Sequence, residues 1–433
     1  MLRSGELRAI EAIRIALDAA EAERAAFHSY LRIHREQALA AAEEADQART
    51  HGASLGPLHG VPVAVKDNIA ERDLPCPAGC AAYQDRIAAE DAAIVAKLRQ
   101  AGAIVLGRTN MDELADGVTS TNPHYGAVGN PWRPGFHPGG SSGGSAVAVA
   151  SGSALAALGT DTGGSVRIPA SLCGVVGFKP SRGLLPLDGI MPLSPTLDHV
   201  GLLARTVEEV KALLEVLSPA GEETAPRCDS LAGFRIGVLE GFGVVPDVGV
   251  ASRFTEVLDL LERDGAKLVP VRLPGLVRAI TILARIYGRE AALFHRSRLA
   301  ENPAGFGELV RRDLERGLGG DPARYEEALE EMAALTQSVA DARRGLELLV
   351  SPTTPHPARP IGSPDPHTYL AFTCPFNLTG QPAISLPMGL VDDLPVGLQV
   401  VARPGRDREL LAAALRIETL VGGFSAPPLA AYP

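Results

Sequence analysis

Two clusters of glycine and serine, residues 139–145 and 159–169, are the most chemically suggestive segments of this 433-residue chain. The second cluster contains Gly163, Gly164 and Ser165 in succession. Glycine loses more backbone freedom on folding than any other residue, so clusters this dense need a reason. Adjacent glycines let successive backbone N–H groups point at one spot, where they can hold an anion or an oxyanion. A serine beside such a spot becomes a nucleophile when a base removes its proton.

Lysine is rare in this chain, and its positions are therefore informative. Only five of the 41 cationic residues are lysine, and the other 36 are arginine. Lysine can lose its proton and serve as a base, whereas arginine stays protonated. Lys66 ends the apolar run 61–65, where an unpaired ammonium is costly to bury. Lys66 is therefore a candidate base, although an ordinary surface lysine is the simpler interpretation. The other four are Lys97, Lys179, Lys211 and Lys267.

Three kinds of site compete for the glycine- and serine-rich segment. A phosphate-binding loop is disfavoured because Gly-x-x-x-x-Gly-Lys-Ser/Thr is absent from the sequence. A hydrolase elbow fits Gly-x-Ser-x-Gly at residues 139–143, but the preceding residues 130–135 indicate a loop rather than the required strand. The third is a serine activated by a lysine. For the hydrolase elbow, the histidines that could serve as the base of the triad are His199, His295, His356 and His367.

Several motifs in order along the chain resemble those of the amidase signature family. The segment 139–182 is similar to the signature itself, and residues 60–68 resemble the family's strand that carries its catalytic lysine. The resemblance extends from about residue 30 to about residue 421, which is nearly the whole chain. Further similar blocks are residues 108–113, 372–380 and 394–399.

The resemblance implies that Lys66, Ser141 and Ser165 are catalytic. In the family the bridging serine, which has a cis peptide bond, precedes the nucleophile by 24 residues, and this spacing selects Ser141 rather than Ser142. Neutral Lys66 would draw a proton from Ser141, and Ser141 one from Ser165. Burial must then lower the lysine pKa from about 10.4 towards neutrality. The expected oxyanion hole consists of the backbone N–H groups of Thr162, Gly163, Gly164 and Ser165.

Contacts to the substrate are less clearly indicated. Arg167 either binds a substrate carboxylate or braces its own loop through Asp161, and the resemblance favours bracing. Met111 lies near the active site by resemblance, and Thr119 and Ser120 lie in the loop that follows. All three are expected to contact substrate. Possible pocket residues in the less family-like segments are Tyr287, His295, Tyr325 and Tyr369.

By resemblance the activity is hydrolysis of a carboxylic amide to a carboxylate and ammonia or an amine, through an acyl-Ser165 intermediate. An alternative is the glutamine-hydrolysing component of a tRNA-dependent amidotransferase complex. That component typically has an aspartate two residues before a Phe-Thr pair, to bind the amino group of glutamine. Here Leu370 precedes Phe372 and Thr373 in that position, and an apolar side chain cannot replace a carboxylate. A stand-alone amidase is therefore preferred.

Alternating strand and helix signals predict an α/β fold, expected as a single large domain with a central mixed sheet covered by helices on both faces. Its expected parts are N-terminal helices (1–55), the signature core (56–217), a variable region (218–350) and C-terminal core strands with a helix (351–433). Predicted strands are 61–66, 103–107, 174–178, 234–239, 267–271, 348–351, 383–386 and 396–401. Predicted helices include 31–49, 91–101, 206–217, 252–264, 277–298, 324–344 and 406–421.

The composition of the chain limits the kinds of partner that it can bind. The net charge of -10 argues against a nucleic-acid-binding surface, and no segment offers about 20 strongly apolar residues for a membrane span. Five scattered cysteines do not form a disulfide framework or a metal-binding pattern and indicate a reducing, cytoplasmic setting. We expect a small-molecule amide substrate, no cofactor and no metal, with a homodimer as a possible assembly.

Overall fold

Eleven strands among the described residues form one mixed β-sheet, and two short strands form a separate hairpin. The computed structural model describes residues 1–2, 4–219 and 227–429. The strands are β1 (Tyr30–Ile33), β2 (Pro62–Lys66), β3 (Ile104–Thr109), β4 (Thr121–Asn122), β5 (Gly126–Ala127), β6 (Ala156–Thr160), β7 (Val176–Lys179), β8 (Val200–Ala204), β9 (Arg235–Glu240), β10 (Lys267–Arg272), β11 (Leu348–Pro352), β12 (Ala383–Val391) and β13 (Leu394–Val401).

The sheet runs in the order β1-β3-β2-β6-β8-β7-β12-β13-β11-β9-β10. Parallel pairs join β3 to β2, β2 to β6, β11 to β9 and β9 to β10. The remaining neighbours are antiparallel. The fold is therefore the single α/β domain with a mixed central sheet that the sequence predicts.

Helices cover both faces of this sheet. In chain order they are α1 (Ala9–Phe27), α2 (Arg35–Thr50), α3 (Ala93–Gln100), α4 (Gly143–Ser151), α5 (Arg167–Cys173), α6 (Val207–Leu217), α7 (Val248–Arg263), α8 (Ala279–Glu301), α9 (Glu308–Gly319), α10 (Pro322–Ala342), α11 (Pro375–Leu378) and α12 (Asp407–Val421).

Strand β2 shows how the two helical layers are filled. Successive strand side chains point to opposite faces. Val63 and Val65 pack in one apolar cluster with Leu98 of α3, whereas Ala64 packs in another with Val147 of α4. Every residue of β2 is buried, as it must be in a strand covered on both sides.

Strands β2 and β6 bring the chemically suggestive residues to one edge of the sheet. They are parallel neighbours, with Val63 opposite Ala156 and Val65 opposite Leu158. Lys66 is the last residue of β2, and Thr160 is the last residue of β6. Parallel strands end at the same edge, so the glycine-rich loop after β6 begins beside the lysine.

The predicted strands and most predicted helices are present with small shifts at their ends. The helix predicted over residues 31–49 is wrong at its start, because residues 30–33 form β1 and pair with β3, and α2 begins only at Arg35. Sequence reasoning missed the strands β1, β4, β5, β6 and β8 and the helices α4, α5, α9 and α11. β6 reads Ala-Ala-Leu-Gly-Thr, and alanine and glycine are depleted in strands. Its place between two other strands overrides that weak local preference.

Two further expectations concern membranes and cysteine pairing. No helix among the described residues is long and apolar enough to cross a membrane. All five cysteines are free thiols, and four of them are buried.

Replacement of a central β6 side chain should destabilise the protein far more than replacement of its exposed neighbour. Leu158 is fully buried, whereas Leu155 is 41% exposed. Leu158→Ala removes packed methyl groups and leaves a cavity, for which we expect a cost of about 2–5 kcal/mol. Thermal unfolding would show a clearly lower midpoint for Leu158→Ala than for the control Leu155→Ala. Equal midpoints for the two variants would contradict this packing.

Candidate active site

The Lys66 amine is held inside the protein by hydroxyl groups. Its Nζ donates to Ser141 Oγ at 2.7 Å and to Thr160 Oγ1 at 2.9 Å. Asn68 Nδ2 donates to the same threonine hydroxyl at 3.1 Å, which fixes its position. The Lys66 side chain has no exposed surface. The structure thus places the lysine and serine that the sequence predicts in direct contact.

Burial changes the protonation of Lys66. Loss of hydration lowers the pKa of Lys66 to about 7, against the opposing attraction of Asp112, Asp161 and Asp198. No carboxylate hydrogen-bonds to Nζ among the described residues, so the charged form lacks a direct ionic partner. The neutral Lys66 amine is therefore readily available near neutral pH.

Ser141 lies on a loop of unusual backbone geometry just before α4. The Gly140–Ser141 peptide bond is cis. Ser120 supports this loop, since its Oγ donates to Ser141 O at 3.4 Å and accepts from Gly143 N at 3.0 Å. A Cβ at position 140 would lie 2.1 Å from Asp112 Oδ2 and 2.7 Å from Ser120 N. Only glycine fits between these groups.

Ser165 lies in the loop between β6 and α5, next to the Ser141 loop. Ser142 N donates to Ser165 O at 3.1 Å, and Ser142 Oγ donates to Thr160 O at 3.2 Å. These bonds tie the two serine loops together. Thr162, Gly163, Gly164 and Ser165 have backbone N–H groups for which no acceptor is found within the described part of the chain. Four consecutive unpaired donors are rare in a protein interior and suit a ligand oxygen.

A buried arginine fixes this second loop. Arg167 Nε and Nη2 donate to the two oxygens of Asp161 at 3.0 and 2.8 Å. The remaining N–H groups donate to Asn377 Oδ1 (2.6 Å), Gln399 Oε1 (2.7 Å) and Thr373 O (2.9 Å). Burial alone would raise the pKa of Asp161, but the adjacent guanidinium of Arg167 holds it below its usual range.

The Arg167 geometry decides between its two interpretations. All five N–H donors are engaged within the protein, and the side chain is fully buried. A substrate carboxylate would find no free donor there. The geometry therefore favours the bracing interpretation, which the resemblance also favours, over a contact between Arg167 and a substrate carboxylate.

Gly164 packs closely against Thr373, whose carbonyl accepts a hydrogen bond from Arg167. Its φ is +139°, and a Cβ there would lie 2.2 Å from Thr373 Oγ1. Thr373 Oγ1 also donates to Gly163 O at 2.7 Å, which holds the Gly163 carbonyl against the Thr373 side chain. Gly164 is thus needed because the Thr373 side chain occupies the space that a Cβ would fill.

Comparison with known proteins agrees with this geometry. A sequence model of the family described as Amidase matches residues 11–411. The chain belongs to this family. A glutamyl-tRNA(Gln) amidotransferase subunit from Streptomyces avermitilis is 37% identical, over 96% of this chain and 92% of that protein. A crystal structure of an amidase superposes with a TM-score of 0.90 at 38% identity, over 97% of this chain and 98% of the other.

Peptide amidase from Stenotrophomonas maltophilia is a second structural relative, with 31% identity, a TM-score of 0.86 and coverage of 99% of this chain and 96% of that one. The family and these neighbours establish that the chain is an enzyme that hydrolyses amide C–N bonds.

A narrow cleft of this amidase borders Ser165. Thr162 and Gly163 line the cleft together with Ser165. The other lining residues are Ala115, Asp116, Gly117, Val118, Leu193, Leu283, Tyr287, His367 and Leu370. We call this the substrate pocket below.

The three remaining predicted substrate contacts do not line the substrate pocket. Met111 is fully buried in an apolar cluster. Ser120 supports the Ser141 loop, as described above, and Thr119 Oγ1 donates to Thr121 Oγ1 at 3.1 Å. The geometry therefore gives Met111 and Ser120 packing and bracing roles rather than substrate contacts.

Of the four possible pocket residues named from the sequence, Tyr287 lines the substrate pocket, whereas His295, Tyr325 and Tyr369 do not. His367, considered above only as a base for a hydrolase elbow, also lines the pocket. His295 pairs with Tyr83, whose hydroxyl lies 2.7 Å from Nδ1. Sequence reasoning missed Thr160 and Asp116. Thr160 lies within the signature segment, but only the parallel pairing of β2 and β6 shows that it meets Lys66.

Removing the charge that pairs with Arg167 should destabilise the loop strongly. Asp161→Asn leaves a buried guanidinium without its anion, for which we expect about 3–5 kcal/mol. Glu256→Gln is a matched control, because Glu256 pairs with Arg253 at 2.7 Å on the surface, with the Arg253 and Glu256 side chains 43% and 56% exposed. Its effect should stay below about 1 kcal/mol. Urea denaturation measures both, and similar losses would refute the bracing role.

Proposed function

We propose that Lys66, Ser141 and Ser165 carry out the amide hydrolysis, with Ser165 as the nucleophile and Lys66 as the base. The observation that carries this proposal is the buried Lys66 amine, 2.7 Å from Ser141 Oγ in a loop bonded to the Ser165 loop. An amine whose pKa lies near 7 is a base at neutral pH, which a solvent-exposed lysine is not.

The first half of the reaction forms an ester. Neutral Lys66 takes the Ser141 proton while Ser141 takes the proton of Ser165, whose Oγ attacks the amide carbonyl. The carbonyl oxygen becomes an oxyanion held by the free backbone N–H groups of residues 162–165. The intermediate collapses as a proton returns through Ser141 to the leaving nitrogen, and ammonia or an amine departs.

The second half of the reaction regenerates the enzyme. Water enters where the amine left and gives its proton to Ser141, which passes one to Lys66. The hydroxide oxygen bonds to the acyl carbon, and the ester bond to Ser165 breaks as the serine recovers a proton. The products are a carboxylate and the free hydroxyl of Ser165.

The expected substrate is a small-molecule amide handled by the chain alone. The Streptomyces relative named above belongs to an amidotransferase, which favours glutamine hydrolysis within a complex as a second candidate. Leu370 argues against it, since this apolar side chain lines the substrate pocket where the resemblance places the aspartate of such amidotransferases. A cytoplasmic location, independence from nucleic acid and membranes, and a homodimer remain part of this proposal.

The purified chain should release ammonia from primary amides without any partner. Ser165→Ala and Lys66→Arg should each lower kcat/KM by at least about a hundredfold, because general-base catalysis contributes roughly 10²–10⁴. Lys211→Arg is the matched control, with a lysine 40% exposed on α6. A fluorophosphonate should label Ser165 in the wild type. Near-normal activity of Lys66→Arg would refute the relay, and glutamine-only release that needs a partner and tRNA would reverse the ranking of the two candidates.

The pH dependence of kcat/KM should follow the titration of Lys66. Burial lowers the pKa of Lys66 to about 7, and the neutral amine is the active base, so kcat/KM should rise as pH increases through about 7 and level off above it. Asp112 and Asp198, whose pKa values burial raises to about 6, lie below that transition. A profile measured from pH 5.5 to 9 tests this expectation. Activity that is flat across pH 7 would contradict Lys66 as the base.

A further inference from the structure

The substrate pocket contains a carboxylate to which the reaction steps above assign no role. Asp116 is the only acidic residue among the described residues that line the pocket, and none of them is lysine or arginine. Most of its surroundings are apolar, with Val118, Leu193 and Leu283 among the neighbours in the wall. A carboxylate in such a wall is expensive to desolvate, so its presence calls for a partner.

A rigid turn presents Asp116 to the pocket. Leu114 and Ala115 have φ values of +52° and +64°, which side-chain-bearing residues rarely adopt. The turn is fixed by hydrogen bonds from Leu114 N to Ala78 O at 2.9 Å and from Asp116 N to Glu113 O at 3.0 Å. The backbone therefore holds Asp116 at one place in the wall.

Helix α8 supplies the second polar group. Tyr287 and Leu283 lie one turn apart on α8, and both line the pocket. Tyr287 lines the pocket beside Asp116 and tends to lower the pKa of that carboxyl. A carboxylate beside a phenol oxygen offers two acceptors to a ligand that carries several N–H donors.

The electrostatic surroundings of Asp116 are negative. Burial raises the pKa of Asp116 to about 7, and the charges of Asp313 and Asp112 contribute in the same direction. Asp313 has its own partner, Arg316, at 3.1 Å. A cation that entered the pocket would relieve this repulsion, whereas a ligand anion would meet no lysine or arginine among the described lining residues.

We propose that Asp116, with Tyr287, binds a primary ammonium group of the substrate, so that the enzyme prefers amides that also carry a free amine. This inference rests on the proposed function, because it places the ammonium in the pocket that opens onto Ser165. It names a substrate class: small amino amides, as opposed to neutral or acidic amides of the same length.

The test compares two amides that differ only in the amine. We expect 6-aminohexanamide to be hydrolysed with at least tenfold higher kcat/KM than hexanamide, since a hydrogen bond to a charged group adds stabilisation that the neutral amide lacks. Asp116→Asn keeps the shape but removes the charge, and should lower this ratio at least tenfold. Asp313→Asn, which removes a nearby charge outside the pocket wall, should keep it. An unchanged ratio in Asp116→Asn, or a wild-type preference for hexanamide, overturns the inference.

A binding measurement separates failure of this inference from failure of the proposed function. Butylammonium should protect Ser165 against a fluorophosphonate in the wild type but not in Asp116→Asn, and butanol should protect neither. If Ser165 reacts and butylammonium gives no protection, the ammonium site is refuted while the nucleophile stands. If Ser165 is neither labelled nor needed for amide hydrolysis, the proposed function fails, and the inference fails with it.

Discussion

Burial of the Lys66 amine is the constraint on which the surrounding structure depends. A charged ammonium without an ionic partner is unstable in a protein interior, so burial lowers the pKa of Lys66. Protein hydroxyl groups take the place of water as its hydrogen-bond partners. Those hydroxyls, Ser141 and Thr160, come from two different parts of the chain. Their convergence requires backbone segments to pass closer together than side chains normally allow. The glycines around Ser141 and Ser165 meet that requirement.

A second buried cation, Arg167, prevents Lys66 from forming an ion pair with a nearby carboxylate. Arg167 binds both oxygens of Asp161, which is one of the carboxylates close enough to Lys66 to favour its charged form. With its oxygens taken up by the guanidinium, Asp161 does not form an ion pair with the lysine. Arginine suits this role because it stays charged and matches a carboxylate in a planar fork. The two cations therefore divide the work, since one anchors the loop and the other titrates.

Much of the fold and the central site can be predicted from sequence, because the signals are local. Lys66 ends an apolar strand, and the serine clusters are dense in glycine. Only the resemblance to the family selects Lys66, Ser141 and Ser165 together. Asp116 and Tyr287 are harder to predict together, since they come from segments far apart in the chain and meet only when α8 packs beside the turn at residues 114–115. The strand β6 escapes prediction for a similar reason, because its small residues have weak strand preference and only its two neighbours make it a strand. Arg167 can be assigned as a brace only once all five donors are seen to be occupied.

The path of the chain between Ser141 and Ser165 has a consequence for how the family signature can vary. After Ser141 the chain runs away from the sheet edge as α4, nine residues that rise about 13 Å. It returns as β6, five residues that span about 16 Å, so that both serines reach the same edge. The number of residues in this segment is therefore fixed by the fold. One extra residue within β6 would slip the strand against β2 and turn its alternating side chains to the wrong faces. The number of residues between the two serines is thus set by the lengths of the helix and the strand that join them. It does not depend on which amide is cleaved.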